Sequence, residues 1–226
     1  MFTSSSNAPF HPPSQTVPLA QALDREPRLI LRQRREWLEL FTDFEQANKY
    51  VILTEGGALA GWAMEKPGGI GRFLARSFLK AMRPFELMVF PPEGPVAQPE
   101  LSVRRPWTWF FAHLYVWDRE GRPIGQIRQR WSWLRRRLDL ELPDGRVIAR
   151  ITGPLLHPWT FIAERGPDGN ARETGRIEKQ WGGILKEGFT DADTFLVSFG
   201  EQDPTFRRLL LAAAVLIDFR WFERRG

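Results

Sequence analysis

Hydrophobic and polar positions alternate with a period of two through most of this chain, and turn residues separate the alternating runs. Leu138, Leu140 and Leu142 interleave with Asp139 and Glu141, which buries one face of an extended strand and leaves the other wet. Beyond Pro143-Asp144-Gly145 the run Arg146 to Thr152 answers it, so the two read as an antiparallel hairpin. Tyr50 to Leu53 pairs in the same way with Leu59 to Ala63 across Glu55-Gly56-Gly57. Ala112 to Asp118 pairs with Pro123 to Gln129 across Glu120-Gly121. Another turn falls at Gly166 to Asn170, and the spacing as a whole predicts a meander of many antiparallel strands.

Two segments break the period. Between Ile70 and Arg83, apolar Ile70, Phe73, Leu74, Phe78 and Ala81 fall at helical spacing, and Arg72, Arg76, Lys80 and Arg83 form a stripe. This predicts a short basic amphipathic helix. The second break is the C-terminal segment, where Asp203 suits an N-cap, Pro204 the first helical position, and Arg224 and Arg225 the negative end of the dipole. Its uncharged run, Leu209 to Ile217, reaches about 14 Å against roughly 30 Å of hydrocarbon, too short to cross a bilayer. Extension to Phe222 brings in Asp218 and Arg220, which are costly at membrane depth. A helix apolar around its whole circumference must nevertheless be buried on all sides. Leu209, Leu210, Val215, Leu216, Phe219 and Phe222 are therefore expected to plug the lumen of a closed β-barrel.

Composition narrows the chemistry. With 42% hydrophobic residues, ten Trp and seventeen Phe among 226 residues, residues 17–226 can fill the core of one domain. Residues 1–16, rich in Ser and Pro, read as a flexible tail. They lack the basic and apolar regions of a secretory signal. The chain has no Cys, so disulfides, thiolate metal sites, thiol nucleophiles and S-acylation are excluded. A net charge of +5 favours an anionic partner, either lipid headgroups or nucleic acid.

The densest charge run, Arg122 to Arg137, holds six Arg and no acid around Trp131 and Trp133. Arg128, Arg130, Trp133, Arg135, Arg136 and Arg137 have the look of a membrane-interface belt, whereas Trp131 continues a strand and reads as core. The same Trp and Arg pairing could stack on single-stranded nucleic acid, but no nucleic-acid fold signature accompanies it, so anionic phospholipid is the favoured partner. Catalytic motifs such as HExxH, GxSxG and GxxxxGK are missing, and Gly69-Ile70-Gly71 has Leu74 in place of a third glycine. His11 lies in the tail, while His113 in a strand and His157 in a turn read as structural. The chain is not expected to be an enzyme.

The stretch Gly175-Arg-Ile-Glu-Lys-Gln-Trp-Gly-Gly-Ile-Leu-Lys-Glu-Gly-Phe-Thr-Asp-Ala-Asp-Thr-Phe195 and the later Leu216-Ile-Asp-Phe-Arg-Trp-Phe-Glu223 resemble the C-terminal signature of the phospholipid scramblase family. Phe44-Glu-Gln-Ala-Asn-Lys-Tyr50, Arg83-Pro-Phe85, Pro123-Ile-Gly125 and Ile151-Thr-Gly-Pro154 extend the likeness over about 17–226. The resemblance implies a mostly β, Tubby-like or LURP-one-like fold, with a closed antiparallel barrel of twelve strands around a buried hydrophobic C-terminal helix. It also implies calcium-stimulated movement of phospholipid between leaflets, by a peripheral protein on the cytoplasmic face of the plasma membrane. Eukaryotic relatives often carry a lipid-modified Cys cluster where the basic helix stands. Arg72, Arg76, Lys80 and Arg83 are expected to replace that anchor electrostatically, at about 1 kcal/mol each.

The family's calcium segment falls on Asp191 to Asp203. Asp191 and Asp193 supply the first two donors, but Phe195, Leu196, Phe199 and Gln202 occupy later positions of the loop. Phe195, Val197 and Phe199 read as one face of a strand, and Asp191 and Asp193 as turn and capping residues. With Glu201 or Asp203 added, the set predicts at most weak Ca2+ binding. The alternative is a soluble Tubby-like module that binds lipid headgroups, nucleic acid or protein without moving lipid.

Overall fold

In the computed structural model, which describes residues 13–33, 49–66, 84–133, 135–154, 156–166, 170–180 and 194–222, the alternating runs become twelve strands. They are β1 (Arg28–Gln33), β2 (Lys49–Thr54), β3 (Leu59–Glu65), β4 (Phe85–Phe90), β5 (Leu101–Arg105) and β6 (His113–Asp118). The second half comprises β7 (Pro123–Arg130), β8 (Arg135–Glu141), β9 (Val147–Pro154), β10 (Thr160–Arg165), β11 (Arg172–Gln180) and β12 (Thr194–Phe199). Each strand runs antiparallel to its neighbours. β1 closes on β12, with Leu29 opposite Val197 and Leu31 opposite Phe195, so the sheet is a barrel without an edge.

The period-two pattern sends Ile127, Leu138, Leu140, Ala149, Ile151, Phe161, Ile177, Phe195 and Val197 into the lumen. There they meet a helix, α2 (Pro204–Ile217), which continues as a π-helical turn, Asp218–Phe222. Asp203 caps α2 as expected: its carboxylate accepts from the N–H of Thr205 at 2.9 Å and of Phe206 at 3.3 Å. Every residue from Leu209 to Ile217 is buried, as are Phe219 and Phe222. The helix is thus the plug that its all-round apolarity predicts. It lies so close to the wall that a Cβ on Gly125 would stand 3.0 Å from Leu209 Cδ1 and 2.4 Å from the Glu141 carbonyl oxygen.

A second helix precedes the barrel and was not anticipated. It is labelled α1 (Leu19–Arg25) and buries Leu19, Ala22 and Leu23. Its carbonyl end is held by a charge from the plug: the fully buried Arg207 guanidinium donates to the Leu23 and Glu26 carbonyls and lies 4.5 Å over the Phe199 ring. Desolvation lowers the pKa of this guanidinium. The carbonyls that the end of α1 leaves unpaired thereby gain donors.

The inner end of the presumed tail is also tied down. Leu59 N–H donates to Gln15 O and Val17 N–H to Leu59 O, each at 2.9 Å. The basic helix expected at residues 70–83 lies outside the described residues.

The antiparallel order sorts the connections to two ends. The turns 54–59, 118–123, 141–147 and 165–172 share one end with the start of α2. The connections 105–113, 130–135 and 154–160 share the other with its last turn.

Candidate lipid-facing site

The two ends of the barrel differ in chemistry. Where α2 begins, the turns 54–59, 118–123 and 141–147 are short and each holds glycine, the longer 90–101 connection is rich in proline, and Asp118 braces one turn by accepting from the N–H groups of Glu120 and Arg122 at 3.1 and 2.8 Å. The opposite end carries a rim of apolar side chains turned to solvent. Trp109 is 66% exposed and Phe110 77% on the β5–β6 loop, Trp131 61% and Trp133 81% on the β7–β8 loop, and Leu156 90% on the β9–β10 loop. Phe111 adds to them. Single exposed hydrophobics are ordinary, but a group of them gathered at one end of the barrel points to an interaction surface. Trp131, read from sequence as core, is outside because β7 ends at Arg130 and the chain turns away from the wall.

The rim is braced from behind. Trp131 and Trp133 meet edge to face with centroids 4.8 Å apart, as Trp107 and Trp109 do at 5.8 Å. Arg220, at the end of the plug, donates from Nε to Gln129 Oε1 at 3.1 Å and from Nη2 to the Phe110 carbonyl at 3.5 Å. The same Gln129 oxygen accepts from Ala112 N–H at 3.0 Å. The plug and the β5–β6 loop are therefore joined through hydrogen bonds.

The arginines of the charge run separate into three fates. Arg136 points into the lumen, donates to the Pro158 carbonyl at 2.8 Å, and lies 5.5–5.9 Å from the centroids of Phe161, Trp221 and Phe222. It clamps the last turn of the plug by cation–π contacts. Lys179 does the same from the other side, 4.3 Å above Phe222.

Arg128, Arg130 and Arg137 face outward over β8, together with Arg150. Arg130 reaches Asp139 at 2.9 Å and Glu141 at 2.6 Å, Arg150 reaches Asp139 at 3.2 Å, Arg128 lies 3.6 Å from Glu141, and Arg137 lies 3.7 Å from Asp139. The face of β8 expected to be wet is therefore covered, with Asp139 and Glu141 only 4% and 2% exposed. Arg135 is exposed beside the rim, as is Arg104 on β5. Nearby, the His113 ring nitrogen lies 2.9 Å from Gln126 Oε1, and partial burial lowers its pKa.

Arg72, Arg76, Lys80 and Arg83 lie outside the described residues. The strands that flank them end at Glu65 and restart at Phe85, on the rim side.

Of the residues expected to hold calcium, only Glu201 and Asp203 fall among the described residues. Asp191 and Asp193 lie outside the described residues. Glu201 pairs with Arg165 at 2.8 Å, and Asp203 lies 3.4 Å from the same guanidinium while its other oxygen caps α2. Between the two pairs runs β12, with Phe195, Val197 and Phe199 turned into the core. Among the described residues no three metal-binding side chains cluster. The described donors do not fit a calcium ion, and no step below runs through one.

Among the described residues no helix is long and apolar enough to cross a membrane. From β7 to β11 the outer positions carry Arg128, Arg130, Asp139, Arg150, Glu164, Arg176 and Glu178 around an apolar lumen. That is the reverse of a barrel whose outside faces lipid.

A family model described as Scramblase matches residues 6–224. The chain is 28% identical to the altered inheritance rate of mitochondria protein 25 of Saccharomyces cerevisiae, over 92% of this chain and 74% of that protein. It is 27% identical to phospholipid scramblase 1 of Mus musculus, over 95% and 67% of the two chains. With phospholipid scramblase 2 of Homo sapiens it shares 26% identity over 94% and 73%. No solved structure matches significantly.

Proposed function

The chain belongs to the Scramblase family, and from that premise we propose that it is a phospholipid scramblase-like protein. In this reading it binds anionic phospholipid as a peripheral membrane protein and lowers the barrier to headgroup passage between leaflets, translocating lipid without making or breaking covalent bonds. The observation that carries the reading is the extent of the family match, residues 6–224, which takes in every strand of the barrel and all of the plug. The net charge of +5 and the exposed Arg104 and Arg135 support an anionic surface as the partner. We place the protein on the cytoplasmic face of the plasma membrane. Because the plug is buried along its length, contact with lipid falls to the outer surface and the loops, and any disturbance of headgroup packing starts there.

Reconstitution tests this directly. Vesicles containing a fluorescent phospholipid are prepared with and without the protein, and a membrane-impermeant quencher is added. Access of the quencher to inner-leaflet lipid faster than in protein-free vesicles is the expected result. Equal rates, with protein bound to the vesicles, would reduce the protein to a lipid-binding module. A parallel arm with added calcium reads whether the ion stimulates the rate.

A further inference from the structure

We propose that the barrel docks end-on. The rim formed by the β5–β6, β7–β8 and β9–β10 loops enters the headgroup region of an anionic phospholipid bilayer, and the neighbouring arginines meet lipid phosphates. This rests on the lipid reading above and adds a surface and an orientation to it.

Segregation is the first argument. Trp109, Phe110, Phe111, Trp131, Trp133 and Leu156 come from three loops far apart in sequence, yet the strand order delivers them to one end. The connections at the opposite end expose no Trp or Phe among the described residues, and their exposed large hydrophobics are the isolated Val96 and Val147. Among the described residues every exposed Trp and Phe thus lies at one end of the barrel, the arrangement expected of a body that meets a membrane with that end.

The second argument is chemical. Indole rings settle at the boundary of headgroup and acyl chain, where an apolar body and a polar N–H are both accommodated. Residues 106–112, 131–134 and 155–159 contain no Asp or Glu, and exposed Arg104 and Arg135 flank them. Three acid-free, aromatic-bearing loops bordered by arginine are complementary to a negatively charged lipid surface. Rings seated about 5–10 Å into the headgroup and acyl boundary would be held by apolar burial and charge together.

The third argument is the low ordering cost. The paired indoles, and the Phe110 carbonyl held by Arg220, fix the rim before lipid arrives, so docking spends little entropy on the loops. Docked this way, the last turn of the plug, with Trp221 and Phe222, stands directly behind the membrane-facing loops.

The test uses the full chain and floating vesicles of phosphatidylcholine with a minority of phosphatidylserine. Phe110, Trp131 and Trp133 are replaced together by Ser. A control replaces Val96 and Val147, exposed at the opposite end, by Ser. The rim variant is expected to lose at least roughly tenfold in vesicle partitioning, and the control is expected to partition as wild type. Because all three rim side chains are exposed, the variant keeps its circular dichroism and melting temperature. In the wild type, brominated lipid should quench Trp emission, and the variant should lose most of that quenching.

Undiminished flotation of the rim variant, or an equal loss in the control, overturns end-on docking while leaving lipid binding intact. Failure of the wild type to float on any vesicle overturns the lipid reading itself. Self-association in vesicle-free solution, abolished by the rim substitutions and unaccompanied by flotation, assigns the rim to a second copy of the chain and also overturns the proposal.

Discussion

Inside the barrel the Tyr50 hydroxyl donates a 2.7 Å hydrogen bond to a carboxylate oxygen of Asp218, linking residues 168 positions apart. One belongs to β2 and the other to the turn that ends the plug, where Phe219 stacks on Phe85 of β4 with centroids 4.4 Å apart. The wall thus grips the plug at its far end through a polar contact and an aromatic one.

Tyr50→Phe keeps the ring and removes this donor from a buried carboxylate. The loss is expected to cost about 1–3 kcal/mol, read as a lower denaturant midpoint at unchanged slope. A midpoint within error of wild type would show that the bond adds nothing to the hold on the plug.

At the other end of the plug, Arg207 engages the Leu23 carbonyl of α1 and the carbonyl of its C-cap residue Glu26 with a forked guanidinium. Arg207→Lys keeps the charge but cannot reach both acceptors in one plane. We expect a loss of about 1–3 kcal/mol and faster hydrogen exchange confined largely to residues 19–25. Arg207→Met, which leaves both carbonyls unpaired, is expected to cost more than the Lys variant. Equal stability of the Lys variant and wild type would count against the fork.

The pKa of His113 is lowered from 6.5, chiefly by desolvation. Below pH 6.5 the unfolded chain therefore takes up the proton more readily than the folded one, so stability falls with acid in that window and is recovered above it. His113→Gln should flatten this part of the stability–pH curve and leave the curve above neutrality almost unchanged. An unaltered slope would place the acid sensitivity elsewhere.

Gly125 has no room for a side chain. In Gly125→Ala the new methyl would meet the Glu141 carbonyl at 2.4 Å and Leu209 at 3.0 Å. Because the carbonyl belongs to β8 and cannot swing aside, the strand pair must part. The expected cost is about 1–3 kcal/mol by thermal or urea unfolding.

Much of this architecture was legible because it depends on periodicity. Leu138, Leu140 and their counterparts alternate, Asp203 and Pro204 announce a helix start, and the uncharged Leu209 to Ile217 can satisfy its surroundings only inside a barrel. The closing count of twelve strands came from the family likeness and not from the pattern itself. α1 carried a readable signal, Leu19, Ala22 and Leu23 at helical spacing after Pro18, but it is short and follows a Pro-rich stretch that reads as tail.

The candidate site was harder to see because it is assembled across sequence. Nothing local to Trp109 says that it will share an end of the barrel with Trp131 and Leu156, and only strand order puts the three there. The same reason hid the fate of the arginines. Arg128, Arg130 and Arg137 look unopposed in their own run, yet β8 carries Asp139 and Glu141 back beneath them. In the calcium segment the described acids, Glu201 and Asp203, both face Arg165 from β10, a partner that their own stretch of sequence does not announce.

Closing the cylinder depends on β1 meeting β12, one made first and the other almost last. During synthesis no hairpin can complete that seam, and the apolar plug emerges only after every strand has left the ribosome. Closure is therefore committed late: until β12 and the plug have been made, β1 has no partner on its open side and the lumen no filling. The slowest step and the greatest exposure to aggregation should coincide at that moment, when the last helix drops in and the wall shuts over it.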